Sequence, residues 1–226
     1  MKKSVITIIL FCHIALANAQ QPATVREYMQ SFPTYAFSDP SPIPLLSPVY
    51  PYSRFDGFTD KAEQREWKIV ELQNDYIKVL ITPEIGGKIW AAIEKRSGRS
   101  FIYYSHTVKF RDVAMRGPWT SGGLEANYGI IGHTPNCATP VDYVTKVNED
   151  GSVSCIIGVL DLLSRSNWRV EINLPGDKAY FTTRSFWYNA SPVEQPYYHW
   201  MNLGVKAKGN LEFIFPGNRY IGHSGE

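Results

Sequence analysis

Turn signals break this chain into short pieces from Arg65 onward. Lys95-Arg96-Ser97-Gly98-Arg99, Asn148-Glu149-Asp150-Gly151, Pro175-Gly176-Asp177 and Lys208-Gly209-Asn210 each pair turn-forming residues with charge. The apolar runs between them are too short for ordinary helices, and none sustains a 3.6-residue period. No heptad, internal repeat or low-complexity tract appears. Strands are expected at 66–72, 75–82, 88–94, 100–104, 141–147, 152–160, 168–174, 179–188, 197–206 and 211–215. Short strands at this spacing predict an all-β fold, an antiparallel β-sandwich. Trp90, Trp168 and Trp187 fall in clean strands and are assigned to its core.

The N-terminal part reads differently. Lys2 and Lys3 precede an apolar run from Val5 to Leu16, and Ala17-Asn18-Ala19 is a small-x-small cleavage site. Residues 1–19 are thus expected to be a signal peptide, with a mature start at Gln20 in the periplasm or outside the cell and no membrane anchor after cleavage. Phe11 before Cys12 does not suit a lipoprotein signal. Residues 20–60 carry seven prolines, from Pro22 to Pro51, and seven Phe and Tyr residues from Phe32 to Phe58. Proline at this density opposes helix and sheet pairing, while a free linker rarely carries so many rings. This segment is expected to be an extended arm packed on the domain surface, with a helical turn or two over 25–31. The sandwich domain is then 61–226. Polar loop chemistry after Phe215, with no closing strand, leads us to expect more sandwich after Glu226.

Charge and cysteine exclude several classes. The surplus of +2 equals the two signal lysines, so the mature chain is formally neutral and has no basic field for nucleic acid. Cys137 and Cys155 remain after signal removal; they could be bonded in an oxidising compartment, or Cys155 could be a small buried hydrophobe. A 14% aromatic share provides many flat apolar faces.

Arg116 to Pro135, RGPWTSGGLEANYGIIGHTP, is the densest stretch of chemistry. Its glycines argue against a helix or a long strand, so it reads as an ordered loop. Trp119 and Tyr128 offer faces for sugar C–H groups; Arg116, Glu125, Asn127 and His133 can pair with hydroxyls. Glu125 is the candidate acid/base or sugar clamp, with His133 as its partner. The alternative is that Glu125 and His133 only tie down the loop. Trp119 is placed towards the surface by its Pro118–Thr120 neighbourhood. No short His/Cys ligand spacing, phosphate loop, Gly-x-Ser-x-Gly elbow or Rossmann fingerprint occurs, so neither a metal nor a cofactor is expected.

The segment Thr82-Pro83-Glu84-Ile85-Gly86-Gly87-Lys88-Ile89-Trp90 resembles an early strand–Gly–Gly–strand segment of galactose mutarotase-like proteins. Tyr198-His199-Trp200-Met201-Asn202-Leu203 resembles their histidine motif, His-x-Tyr-Phe-Asn-Leu, and Phe215-Pro216-Gly217-Asn218-Arg219-Tyr220 with His223 is similar to the next strand and loop. Residues 66–226 more closely resemble an uncharacterised bacterial secreted domain group, often followed by tetratricopeptide repeats. The resemblance implies a mutarotase-like supersandwich, incomplete at its C-terminus, that binds carbohydrate. It adds His199 as a catalytic candidate and Trp200, Asn202 and His223 as substrate-binding ones. Two departures stand out. Tyr198 occupies the position of the acid histidine, so His199 is one place late, and a one-residue slip turns a strand side chain to the other face unless a bulge restores it. The mutarotase general base falls in a part of the sandwich beyond this chain.

The expected function is therefore carbohydrate recognition, with epimerase- or glycosidase-like processing in a longer protein. The alternative is a structural or partner-binding β-domain of a tetratricopeptide-repeat protein. One placement discriminates them. Glu125, His133 and His199 on one concave face with an exposed Trp119 favours sugar; divergence to different faces favours the scaffold.

Overall fold

A computed structural model describes residues 22–38, 57–112, 118–128, 136–196 and 198–219. The expected signal peptide lies outside the described residues, as do Arg116, His133 and His223.

The described chain is all-β. In order come β1 (Thr24–Tyr35), β2 (Glu63–Gln73), β3 (Ile77–Thr82), β4 (Lys88–Glu94), β5 (Val108–Lys109), β6 (Arg111–Asp112), β7 (Pro118–Trp119), β8 (Leu124–Tyr128), β9 (Asp142–Val147), β10 (Val153–Leu160), β11 (Ser166–Leu174), β12 (Thr182–Asn189) and β13 (His199–Leu203). A seven-stranded sheet, β13-β8-β4-β3-β2-β1-β5, packs on a four-stranded sheet, β12-β11-β10-β9; β6 and β7 form a small ribbon. This is the expected sandwich.

Side-chain alternation sends two sets of residues to two cores. Val70 and Leu72 of β2, Val79 and Ile81 of β3 and Ile89 of β4 meet Cys155, Ile157, Trp168, Val170 and Ile172 of the smaller sheet. The opposite, outer face of the large sheet carries Phe32, Trp67, Ile69, Leu80 and Trp90, covered by Ile85, Val108, Phe110 and Ala138. A sheet buried on both sides loses clean in–out alternation, which is why the second half of β2 and most of β4 read as nearly continuous buried runs. A register shift at Leu80/Ile81 makes Trp90 the extra residue of a β-bulge. Trp90 and Ala91 thereby both reach the outer core. Gly87 has φ +66 to +69 together with Gly86, and a β-carbon at Gly87 would strike Ile157 of the facing sheet, so only glycine lets the turn approach so closely.

Several expectations are corrected. Residues 25–31 are not helical: they belong to β1, which pairs with β2 in antiparallel register from Thr24↔Gln73 to Thr34↔Glu63. The first half of the expected surface arm is thus an internal strand of the large sheet; residues 39–56 lie outside the described residues. Pro33 is tolerated because pairing with β5 begins only at Thr34, so β1 presents an open edge there. The strand expected at 100–104 reduces to a bridge between Ile93 and Ser100, and 211–215 forms no strand. Cys137 and Cys155 are buried and make no disulfide. Among the described residues no helix is long and apolar enough to cross a membrane.

Candidate functional site

The Gly-rich run is not simply a loop. Pro118–Trp119 forms β7, and Leu124–Tyr128 forms β8, the sixth strand of the large sheet counted from β5. Gly122 and Gly123 turn the chain into β8 with φ of +79 and +66.

Alternation along β8 then sorts the candidates. Leu124, Ala126 and Tyr128 face the smaller sheet, where the Tyr128 ring stacks on Trp168 at 4.3 Å between centroids. Glu125 and Asn127 face the outer side. In the antiparallel register of β13, Asn202 lies opposite Glu125 and Trp200 opposite Asn127, and directly opposed residues share a face. The structure therefore brings Glu125, Asn127, Trp200 and Asn202 together on the outer face. His199 lies opposite Tyr128 and turns inward. The one-residue displacement of the histidine is not rescued by a bulge in this register.

Lys88 completes the outer group, and sequence reasoning missed it. It precedes the inward-facing Ile89 on β4, so it points outward, where its ammonium lies 3.4 Å from a Glu125 carboxylate oxygen. Lys88 and Glu125 are 2% and 4% exposed. The ammonium donates to the carbonyl oxygen of Thr120, and to the Thr120 hydroxyl at 3.0 Å. It also stands 5.2 Å from the centre of the Trp119 ring, a cation–π distance. Burial pushes the Lys88 ammonium below the usual lysine range, and the nearby Glu125 charge opposes that shift. The Asn202 amide reaches the other Glu125 oxygen at 3.5 Å. The one sequence signal was Lys88 itself, a charge opening the apolar strand after Gly86-Gly87.

His199 is committed elsewhere. Its Nδ1–H donates to the Asn127 carbonyl oxygen at 2.7 Å, which leaves Nε2 to accept from the Ser185 hydroxyl of β12 at 3.1 Å. It bridges the two sheets at their β12/β13 end. Trp119 is half-buried rather than surface-exposed. Glu84, another available carboxylate, accepts the Lys68 backbone N–H at 2.7 Å and so is tied to β2. Among the described residues no group of three or more His, Cys, Asp or Glu side chains is placed to hold a metal.

Fold and site together define an all-β sandwich domain with a polar cluster buried in the outer face of its larger sheet. The chain belongs to the family described as a domain of unknown function, DUF5107, whose model matches residues 44–226. In three dimensions it is similar to a TPR-domain containing protein from Parabacteroides distasonis ATCC 8503, with a TM-score of 0.75 and 24% sequence identity. The match covers 81% of this chain and 32% of that one, so the chain spans about a third of that protein's length.

Proposed function

We propose that this domain is a non-catalytic, partner-binding β-domain that takes further polypeptide strands at the β12/β13 end of its sandwich. The observation that carries this is the exposed apolar surface there: Phe186 and Tyr188 on β12, Met201 and Leu203 on β13, and Phe213, Ile214 and Phe215 beyond. Phe186 and Tyr188 alternate with the inward-facing Trp187 and so lie on the outer face of the smaller sheet, while Met201 and Leu203 face inward. Large exposed apolar side chains gathered on two edge strands favour an interaction site. Both sheets end on this side, at β12 and β13. An edge strand presents backbone N–H and C=O groups that a further strand satisfies and a helix does not. Met201 and Leu203 lie on the inward face of β13, where an added strand would bury them. The similarity to a TPR-domain containing protein supports attachment to a larger assembly of that kind. The divergence of Glu125 and His199 supports the same reading, since neither is left poised beside the other for acid–base work.

Hydrogen exchange tests it. Amides of Thr182–Asn189 and His199–Leu203 are expected to exchange more slowly in protein isolated from its own host than in the chain produced alone. Met201→Asp with Phe186→Asp should abolish the difference. Equal exchange in both preparations would sink the reading.

Carbohydrate recognition by a mutarotase-like sandwich remains a second reading. It is favoured by the outer-face gathering of Glu125, Asn127, Trp200 and Asn202, two of which come from the resemblance to the histidine motif. Under it, Trp200→Ala weakens glycan binding without unfolding the chain. Secretion, read from residues 1–19, is tested by N-terminal sequencing of the mature protein, where a start at Gln20 is expected.

A further inference from the structure

A second concave feature, sharing none of its lining with the Lys88–Glu125 cluster, lies where the hairpin after β4 folds back on the sheet. It is an open cleft of about 720 Å³. Phe101 and Tyr103, which line it, are 50% and 46% exposed. Exposed rings on a loop are usually mobile, but the backbone beneath these two is fixed. Phe101 N–H donates to the Ala92 carbonyl at 2.9 Å. Tyr103 N–H donates to the Gly204 carbonyl, and its own carbonyl accepts from Gly123 N–H, each at 2.8 Å. Gly122 and Gly204 lie so close to Tyr103 that a β-carbon on Gly122 would meet the tyrosine ring and one on Gly204 would meet its Cβ at 3.2 Å. The two glycines act as a seat for the ring. The Phe101 ring is braced by Phe181 at 6.3 Å between centroids.

Charge distinguishes the cleft further. Arg99 and Lys206 line it, and neither side chain has an ion-pair partner among the described residues. The acidic group of the lining, Glu94, is already engaged: Ser97 donates to it at 2.5 Å and Arg96 lies 3.8 Å away. Two held aromatic faces, a serine-bearing turn and two uncommitted cations suit a ligand with flat C–H faces, hydroxyls and negative charge. We infer that the cleft formed by Arg99, Phe101, Tyr103 and Lys206 binds a uronate-bearing oligosaccharide. The rings cover the sugar faces, Arg99 presents its donor fork to a carboxylate, and Lys206 contributes a second positive charge at the rim.

Calorimetry on the whole chain tests this with four probes: oligogalacturonate, oligomannuronate, fully methyl-esterified oligogalacturonate and polyglutamate. Binding of at least one uronate oligomer is expected, weakened by esterification and by salt. Phe101→Ala and Tyr103→Ala should each weaken it about tenfold, since stacking of one ring contributes at about that level. Arg99→Gln with Lys206→Gln touches only exposed side chains, so the fold persists, and it should erase the preference for the free acid over the ester. Absence of binding to both uronates, equal binding to polyglutamate, or binding indifferent to Phe101→Ala and to Arg99→Gln with Lys206→Gln would each overturn the assignment. Trp200→Ala serves as the control: it lowers binding if sugar sits on the outer-face cluster and leaves it unchanged if sugar sits in this cleft.

Discussion

At the scale of single residues, the Lys88–Glu125 pair is where chemistry and stability meet. Two charges this deep must compensate one another, because taking either from water alone is costly. Glu125→Gln leaves the Lys88 ammonium facing only neutral oxygens and the Trp119 ring. We expect it to lower unfolding free energy by about 3 kcal/mol or more in urea titrations. Lys88→Met combined with Glu125→Leu should cost less than Glu125→Gln alone, since apolar replacement of a whole buried pair is often well tolerated. A double variant as unstable as the single would show that the pair does more than neutralise itself. Gly123 is the other sensitive position. A β-carbon there would run into the Ile89 carbonyl oxygen, and its φ is +66. Gly123→Ala should cost about 3 kcal/mol, strain and overpacking together, measured the same way. The sequence pointed to Glu125, Asn127, Trp200 and Asn202 from residue type and motif. For Lys88 it offered only a charge opening an apolar strand, and could not give its partner Glu125, which is far along the chain.

Among the elements, the strands with turn signals at both ends were the legible ones. Lys88–Glu94 was read with the bounds it has, and β9 to β12 were read to within a few residues. What escaped was decided by partners distant in sequence. β1 carries Pro33 and lies among prolines, yet it is held by pairing with β2 and by Arg26, which donates to the buried Glu71 at 2.6 Å. The stretch 211–215 has strand-like composition but no neighbour to pair with among the described residues. The smaller sheet makes a prediction of its own. Burial pushes the Cys155 thiol of β10 up to about 12, while the unfolded thiol ionises near its ordinary value. Between those two values the folded state holds the extra proton, so stability falls as pH rises through that window. The Tyr143 phenol of β9 is pushed the same way, to about 12, by burial and then by its hydrogen bond to Glu27. Cys155→Val should therefore flatten the fall in urea midpoint between about pH 9 and pH 11 relative to the parent chain. Comparing variant with parent cancels the opposite contribution of Lys88, which favours the folded state as pH rises. Identical slopes would mean that Cys155 is not shielded as its burial implies.

For the whole molecule, β1 contacts β9 at one end of the sandwich, and His199 of β13 joins Ser185 of β12 at the other, beyond which exposed apolar side chains lie. Ile214 is 89% exposed and Phe215 76% exposed, so replacing both with Ser should leave the urea midpoint unchanged. The same replacement should reduce concentration-dependent association in sedimentation runs, because exposed apolar clusters drive it. A large loss of stability instead would mean that these side chains are covered in solution by this chain itself. The position of β1 has a consequence of a different kind, in time. Glu27 meets Tyr143, and Ala23 N–H donates to the Gly151 carbonyl at 3.0 Å. β1 finds its β2 partner nearby in sequence, but its contact with Tyr143 joins residues 116 positions apart. Such long sequence separations slow folding, because loop closure must precede the reward. A refolding reaction should therefore be slow and should pass its barrier when β1, already paired with β2, meets β9 across that long loop.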